Sequence, residues 1–169
     1  FNVEFIINDI YNKSNSSYSF WLAKESLIKT DYIHLNCDII FSDQLLEGII
    51  NSKFKSIIAT RSDLELKDQM ENVIIEDGKI INMSLKNSPK ANGKAFGLGK
   101  FSILSTSLLI KKLSYFISKN DLKQNYYGMI RLACEEINYF AYETNEDNIL
   151  EINTVEDLKK AEKILNEKK

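Results

Sequence analysis

The stretch over residues 32–41, Tyr-Ile-His-Leu-Asn-Cys-Asp-Ile-Ile-Phe, constrains the fold more than any other part of the chain. Tyr32, Ile33 and Leu35 predict a buried strand, Asp38 follows where that strand ends, and a second apolar run comes next. Ligands of open α/β sheets bind beyond the carboxyl ends of the strands. A lone Asp there is well placed to hold Mg²⁺ against phosphate oxygens, because this ion prefers few carboxylates together with phosphates and water. The alternative is that Asp38 opens a turn or caps the following helix.

Strand and helix alternate in the first part of the chain. The pattern predicts a buried strand over 2–7, a polar loop over 8–16, a helix over 18–28 with Ser16 or Ser17 as its N-cap, the Asp38 strand, a helix begun by Ser42 or Asp43, and a strand over 56–60. This order favours an α/β sheet with parallel members.

The second part begins with two short strands, 72–76 and 79–83, joined by an Asp-Gly hairpin signal. A strand over 95–104 carries Gly97 and Gly99, where the backbone either passes close to a ligand or forms a bulge. The remaining predicted elements are helices over 106–118 and 123–136, strands over 139–142 and 149–152, and a last helix that Thr154 caps with Asp157 three residues on. The chain shows neither a repeat nor a linker, which predicts one domain over 1–169.

Charge and composition exclude several classes of protein. The 169 residues carry a net charge of −2 with dispersed lysines, which leaves no basic footprint for nucleic acid or an anionic membrane. The apolar runs fall short of the roughly 20 residues that span a bilayer. Cys37 and Cys134 lack a Cys or His at ligand spacing, which favours buried free thiols in a reducing, cytoplasmic compartment over a disulfide. His34, within the predicted strand, is expected to be structural.

Four stretches together resemble one family. They are residues 15–19, Asn-Ser-Ser-Tyr-Ser, before a helix; 35–41, Leu-Asn-Cys-Asp-Ile-Ile-Phe; 68–86, through the hairpin; and 151–158, Glu-Ile-Asn-Thr-Val-Glu-Asp-Leu. In this order they resemble the sugar-phosphate type of nucleotidyltransferase, and are closest in pattern to phosphocholine and aminoethylphosphonate cytidylyltransferases. The resemblance covers nearly the whole chain.

The resemblance implies a fold and a reaction. The fold is α/β and Rossmann-like, a glycosyltransferase A-type mixed sheet flanked by helices. The reaction is Mg²⁺-dependent transfer of a nucleoside monophosphate, CMP from CTP, to a phosphorylated or phosphonate acceptor such as phosphocholine, with release of pyrophosphate.

The resemblance also implies the metal and nucleotide residues. Asp38 corresponds to the first metal ligand, and the second ligand, usually an Asp of the closing motif, is Asn153 here. An amide oxygen still coordinates a hard cation but adds no charge; a helix cap is the alternative role for Asn153. Asn15 and Ser19 resemble residues that approach the base and ribose, and the alternative is that Asn15 stabilises a turn while Ser19 faces solvent.

On the acceptor side, Lys86 resembles a lysine near the reacting phosphate and Asp68 matches an acidic position, although Gln69 replaces the Glu that usually follows. Tyr126 and Tyr127 match an aromatic pair, whose faces would suit a quaternary ammonium such as choline. The alternatives are a solvated surface lysine and a helix that packs its tyrosines on the core.

The family's Gly-rich phosphate loop, Gly-x-Gly-(Ser/Thr)-Arg, has no counterpart in the chain; residues 97–100 come nearest but lie in a predicted strand. We therefore expect the chain to be the C-terminal two thirds of a domain whose first strand and Gly-rich loop, in about 60–80 further residues, are missing, and to bind nucleotide poorly alone. The other readings are a sugar-1-phosphate nucleotidyltransferase and a non-catalytic relative that keeps the fold. A glycosyltransferase would normally show Asp-x-Asp at the metal strand, which has one Asp here.

Overall fold

A computed structural model describes residues 3–167. Its elements in chain order are α1 (Ser16–Leu22), α2 (Lys24–Leu27), β1 (Tyr32–Leu35), β2 (Ile39–Phe41), α3 (Asp43–Asn51), β3 (Ile57–Arg61), β4 (Asn72–Glu76), β5 (Lys79–Ser84), β6 (Gly93–Phe101), α4 (Ile103–Ser118), α5 (Tyr126–Ala133), β7 (Tyr139–Thr144), β8 (Ile149–Glu151) and α6 (Val155–Glu167). The chain divides into two compact units: a helical unit, up to residue 32 and over 101–137, and a sheet unit, over 33–100 and from 138 onward.

The sheet unit is built on a mixed sheet with strand order β1-β6-β3-β7-β5-β4, and β2 and β8 form a separate antiparallel pair. Strands β3 and β7 run parallel, whereas β3–β6, β4–β5 and β5–β7 are antiparallel. The mixed α/β architecture that the sequence predicted is confirmed. The core of this unit consists of apolar side chains from α3, β3, β6 and β8: Leu45, Ile49, Ile57, Ala59, Phe96, Leu98 and Ile149.

Local signals in the sheet unit act as predicted. Ser42 caps α3, and its side chain accepts a hydrogen bond from the Leu45 N–H at 3.2 Å. The turn of the β4–β5 hairpin has positive φ at Asp77 (48°) and Gly78 (76°), the left-handed pair that two-residue hairpin turns require.

The helical unit contains α1, α2, α4 and α5, held together by aromatic side chains. The Phe20 ring lies 4.8 Å from that of Tyr126, and the Trp21 indole N–H donates to Ser114 Oγ at 2.9 Å. The helix predicted over 18–28 is split at Ala23, and its N-cap is Asn15 rather than a serine. The helix predicted over 123–136 is shorter, because Asn125 caps α5 with its side chain and so fixes a later start.

The buried strand predicted over 2–7 is wrong for the residues that can be described; residue 2 lies outside them. Residues 3–7 are irregular, and Phe5 and Ile7 are 85% and 76% exposed. A strand requires a neighbour to pair its backbone groups, and no strand of the described chain pairs with this segment. Leu35 is also exposed, in contrast to the prediction, because β1 ends there.

Within the described residues, no helix has the length and apolar character needed to cross a membrane. Both cysteines are free, as predicted, but Cys37 is exposed and only Cys134 is buried. Burial raises the pKa of the Cys134 thiol to about 12.

Candidate active site

Asp38 lies in the short turn between β1 and β2, within the sheet unit. Its backbone carbonyl accepts a hydrogen bond from the Ile152 N–H at 2.8 Å. Its carboxylate atom Oδ1 is buried, and no donor among residues 3–167 reaches it. A buried acceptor without a partner costs free energy, so this carboxylate is suited to a cation.

The β2–β8 pair brings the closing motif to Asp38. Ile39 pairs with Glu151, and the Ile152–Asp38 hydrogen bond continues the pairing, so that Asn153 follows at the same end of the two strands. The structure thus brings together the backbone of two segments that are 115 residues apart in sequence.

Thr154 and Asp157, not the Asn153 side chain, cap α6. Asp157 Oδ2 accepts from the N–H of Thr154 at 2.8 Å and from that of Asn153 at 3.1 Å, and Thr154 Oγ1 accepts from the Asp157 N–H at 3.1 Å. The hydrogen bond from the Thr154 hydroxyl is the main reason why the pKa of Asp157 is lowered. The predicted capping box is confirmed, and the side-chain amide of Asn153 has no hydrogen bond within the described chain.

Asp38 and Asn153 offer oxygen donors, a carboxylate and an amide, of the kind that Mg²⁺ prefers. One carboxylate with an unpartnered oxygen and one amide leave most coordination positions for phosphate and water, which is the usual pattern for this ion. No group of three or more His, Cys, Asp or Glu side chains in the described residues could bind a metal by itself.

The turn that carries Asp38 is held by Asn36. The Asn36 N–H donates to the Gly97 carbonyl at 2.7 Å, and its side-chain Oδ1 lies 3.0 Å from His34 Nε2. A Cβ atom at position 97 would lie only 2.2 Å from Asn36 Cγ. The close approach predicted at Gly97 is therefore to a side chain of the chain itself. Pairing of β6 with β3 also shifts in this region, as the bulge alternative predicted.

Two buried cations, which the sequence reading missed, support β8. Lys94 forms an ion pair with Glu151 and lies 4.3 Å from the centre of the Phe96 ring. Arg61 donates from Nε to Asp63 at 2.7 Å and from Nη1 to the Ile149 carbonyl at 3.3 Å. A buried charge requires a partner. The signal for it in the sequence was weak, because Lys94 lies just outside the strand predicted over 95–104 and β6 also contains Lys100.

Lys86 lines an open cleft of about 290 Å³ beside the β4–β5 hairpin. Asp68 lies next to this cleft, where its Oδ1 accepts the Asn87 N–H at 2.8 Å. The structure thus brings these two predicted acceptor residues to neighbouring loops, and Asp68 serves to tie those loops together. Their roles in acceptor binding stay predictions.

The predicted nucleotide residues belong to the helical unit. Asn15 accepts the Ser16 N–H at 2.7 Å and donates to the Lys123 carbonyl at 3.2 Å, as the turn alternative predicts. Ser19 is exposed and accepts a hydrogen bond from the Asn8 side chain at 2.9 Å. Both side chains remain at the surface, so contact with a base or ribose stays a prediction.

Tyr126 and Tyr127, also in the helical unit, are 4% and 8% exposed. The hydroxyl oxygens of Tyr126 and Tyr32 lie 3.2 Å apart, and burial raises the pKa of Tyr32 to about 12. These contacts agree with the core-packing alternative. Binding of an acceptor by either tyrosine stays a prediction.

Comparisons with known proteins show which solved structures share this fold. No protein-family model and no curated protein sequence matches the chain. Among solved structures, the CTP:phosphocholine cytidylyltransferase from Streptococcus pneumoniae is similar with a TM-score of 0.75 and 19% identity, over 94% of this chain and 67% of that one. The inositol-1-phosphate CTP transferase from T. maritima has a TM-score of 0.72 and 16% identity, over 91% of this chain and 62% of that one.

A UDP-glucose pyrophosphorylase complexed with UDP-glucose is similar with a TM-score of 0.69 and 14% identity, over 93% of this chain and 64% of that one. The fold that the motifs implied, a mixed Rossmann-like sheet similar to those of nucleotidyltransferases, is therefore confirmed. The chain spans about two thirds or less of the length of each of these proteins.

Proposed function

We propose that the protein is a Mg²⁺-dependent nucleotidyltransferase that transfers a nucleoside monophosphate, CMP from CTP, to a small phosphorylated or phosphonate acceptor. The observation that carries this proposal is the buried, unpartnered Oδ1 of Asp38 beside the chain segment of Asn153. The similar solved structures support it, because their names describe enzymes that act on nucleotides and phosphorylated compounds.

In this reaction an oxygen of the acceptor phosphate attacks the α-phosphorus of the triphosphate, the α–β phosphoanhydride bond breaks, and pyrophosphate leaves. Both reactants are anions, so the barrier is largely electrostatic. Asp38 and Asn153 would hold Mg²⁺, which supplies charge neutralisation at the α-phosphate. Lys86 would bind the acceptor phosphate as a point charge.

Other residues complete the proposal. Asn15 and Ser19 would approach the base and ribose through their amide and hydroxyl groups. For the acceptor, the motif resemblance favours phosphocholine, and a sugar 1-phosphate is the alternative. Asp68, Tyr126 and Tyr127 are the candidate acceptor residues that this resemblance implies. A cytoplasmic location is part of the same proposal.

The experiment is a titration of the full-length protein with nucleotide and Mg²⁺, followed by pyrophosphate release with phosphocholine, aminoethylphosphonate and several sugar 1-phosphates. Asp38→Ala should abolish Mg²⁺-dependent release and leave the fold nearly intact. Asp43→Ala, an exposed carboxylate on the next helix, is the matched control and should keep its activity. Normal release by Asp38→Ala would contradict the metal assignment, and no binding or release by the wild type would favour a non-catalytic relative.

Asn153→Asp tests the second ligand. If Asn153 coordinates, the added carboxylate should preserve or raise Mg²⁺ affinity, since charge on a ligand strengthens binding of a hard cation. Asn166→Asp, at an exposed position near the end of α6, controls for charge alone. An unchanged metal titration for Asn153→Asp would contradict coordination of the ion by this residue.

A further inference from the structure

We propose that His34 is a positioning residue for the proposed metal site, because it orients the Asn36 side chain, which in turn fixes the turn that carries Asp38. The inference rests on the proposed function, since it assumes that Asp38 binds a cation. It gives His34 a role in metal binding, in place of the purely structural role that the strand pattern predicted.

His34 and Asn36 are bonded to each other at the end of β1. Side chains two positions apart in an extended segment point to the same face, and His34 Nε2 lies 3.0 Å from Asn36 Oδ1. An amide oxygen only accepts, so Nε2 carries the hydrogen of this bond. Burial lowers the pKa of His34, so the ring is neutral at pH 7 and has a single N–H to donate.

Asn36 itself has little freedom to move. Its N–H donates to the Gly97 carbonyl at 2.7 Å. A Cβ atom at position 97 would lie 2.2 Å from Asn36 Cγ and 2.4 Å from Asn36 Nδ2. The amide group therefore lies directly over the bare backbone of Gly97, with the His34 ring bonded to its oxygen. These contacts hold both the main chain and the side chain of Asn36.

Asp38 lies between two anchors of this kind. Asn36 is fixed two residues before it, and its own carbonyl accepts the Ile152 N–H at 2.8 Å. No donor among residues 3–167 bonds to the buried Oδ1 of Asp38, so the backbone of the turn determines where this oxygen lies. Metal ligands must be held to within about 0.5 Å of their productive position. Loss of the anchor at Asn36 should therefore weaken a bound cation.

Two amide substitutions at His34 separate the position of the donor from its chemistry. The amide nitrogen of a glutamine lies as many bonds from Cβ as the histidine Nε2 does, whereas that of an asparagine lies one bond closer. His34→Gln can therefore keep the bond to Asn36, and His34→Asn cannot reach it. In the full-length protein with CTP, His34→Asn should weaken the binding of Mn²⁺, a paramagnetic substitute for Mg²⁺, about fivefold, the effect of one hydrogen bond. His34→Gln should stay near the wild type, and water proton relaxation measures both without turnover.

Removing the acceptor tests whether His34 acts through Asn36. Asn36→Ala should weaken Mn²⁺ at least as much as His34→Asn does, which keeps the test available if His34→Asn does not fold. The double variant His34→Asn/Asn36→Ala should bind no more weakly than Asn36→Ala alone, because both changes remove the same bond. In pyrophosphate release, His34→Asn should raise the Mg²⁺ concentration that gives half the maximal rate and leave kcat at saturating Mg²⁺ close to that of the wild type.

Asn92→Ala is the control for a general loss of stability. The Asn92 side chain makes two hydrogen bonds of 2.8 Å to the backbone of Ile75 on β4. Its removal should lower the free energy of unfolding in urea and leave the Mn²⁺ affinity unchanged. Amide hydrogen exchange reports the turn directly: in His34→Asn, the N–H groups of Asn36 and Ile152 should exchange severalfold faster than in the wild type.

The outcomes separate this inference from the proposed function. Equal Mn²⁺ affinities of His34→Asn and the wild type, a loss that His34→Gln shares, or an equal loss in Asn92→Ala would overturn the inference and leave the proposed function standing. Faster exchange at Asn36 with unchanged metal affinity would also overturn it, since His34 would then act on the fold alone. Failure of the wild type both to bind Mn²⁺ with CTP and to release pyrophosphate would overturn the proposed function, and the inference with it.

Discussion

At the scale of single residues, Asp38 is positioned by its main chain and by its neighbour Asn36. Its carbonyl is bonded to Ile152, and the adjacent turn is anchored where Asn36 meets the Gly97 backbone. The side chain itself is left with an unpartnered oxygen. For the proposed metal site, this arrangement places the carboxylate without neutralising its charge.

Gly97→Ala should destabilise the protein. The new Cβ would lie 2.2 Å from Asn36 Cγ, and overpacking of this kind costs about 1–3 kcal/mol. Removing the obstructing side chain, in Asn36→Gly/Gly97→Ala, should recover part of the loss. Urea unfolding of the two single variants and the double variant measures this coupling.

Gly93→Ala is the matched control on the same strand. Its Cβ would meet its nearest neighbours at 3.2–3.4 Å, so small shifts can accommodate it and the loss should be smaller. Equal losses for the two glycine variants, or additive effects of Asn36 and Gly97, would contradict the assigned contact.

At the scale of elements, the junction of β8 and α6 joins the site to a helix cap. The Thr154–Asp157 pair follows Asn153 directly and begins α6. Two apolar side chains of α6, Leu158 and Leu165, are exposed, whereas Ala161 is buried. The cap is therefore important for the start of this helix, since part of its apolar face is not covered.

Thr154→Ala should lower the free energy of unfolding by about 1 kcal/mol at pH 7, the usual effect of losing an N-cap side chain. The loss should shrink at pH 3. The Thr154 hydroxyl lowers the pKa of Asp157 in the folded state, so the unfolded chain binds the proton first and this stabilisation disappears as pH falls below the usual Asp pKa of about 3.9.

Denaturant titrations at both pH values measure this change. Thr154→Ser keeps the hydroxyl and should behave like the wild type at each pH. A loss for Thr154→Ala that is the same at pH 3 and pH 7 would show that the hydroxyl does not act through the Asp157 carboxylate.

At the scale of the whole molecule, the two cysteines report on folding from different environments. Cys37 is exposed beside Asp38, and Cys134 is buried with its pKa raised to about 12. Since the thiolate is the reactive form, one thiol per chain should react rapidly with a chromogenic disulfide at pH 8, and the second only on opening or in denaturant.

The Cys37→Ser variant should lose the fast phase alone. Two fast thiols in the native protein would show that the segment after α5 opens readily. In the same assay, protection of Cys37 by nucleotide and Mg²⁺ together would report binding at the neighbouring Asp38 without relying on turnover.

The sequence could predict elements whose cause is local. The Asp-Gly turn of the β4–β5 hairpin, the Ser42 cap of α3 and the Thr154–Asp157 capping box each depend on residues within a few positions of one another. The four motifs also implied the mixed sheet, which the structure confirms. The apolar segment over 3–7 was predicted wrongly, since apolarity shows that a strand is possible but not that another strand lies beside it.

The sequence by itself determined that Asp38 is a candidate site residue, because this carboxylate follows an apolar strand. Only the tertiary structure decided that Ile152 bonds to Asp38, that Lys94 pairs with Glu151, and that the side-chain oxygen of Asn72 is buried without a donor among residues 3–167. These features depend on pairs of residues far apart in the chain, and on which polar atoms remain unbonded after every neighbour is in place. A linear pattern contains the residue types, whereas hydrogen-bond satisfaction and burial exist only once distant segments share the same space.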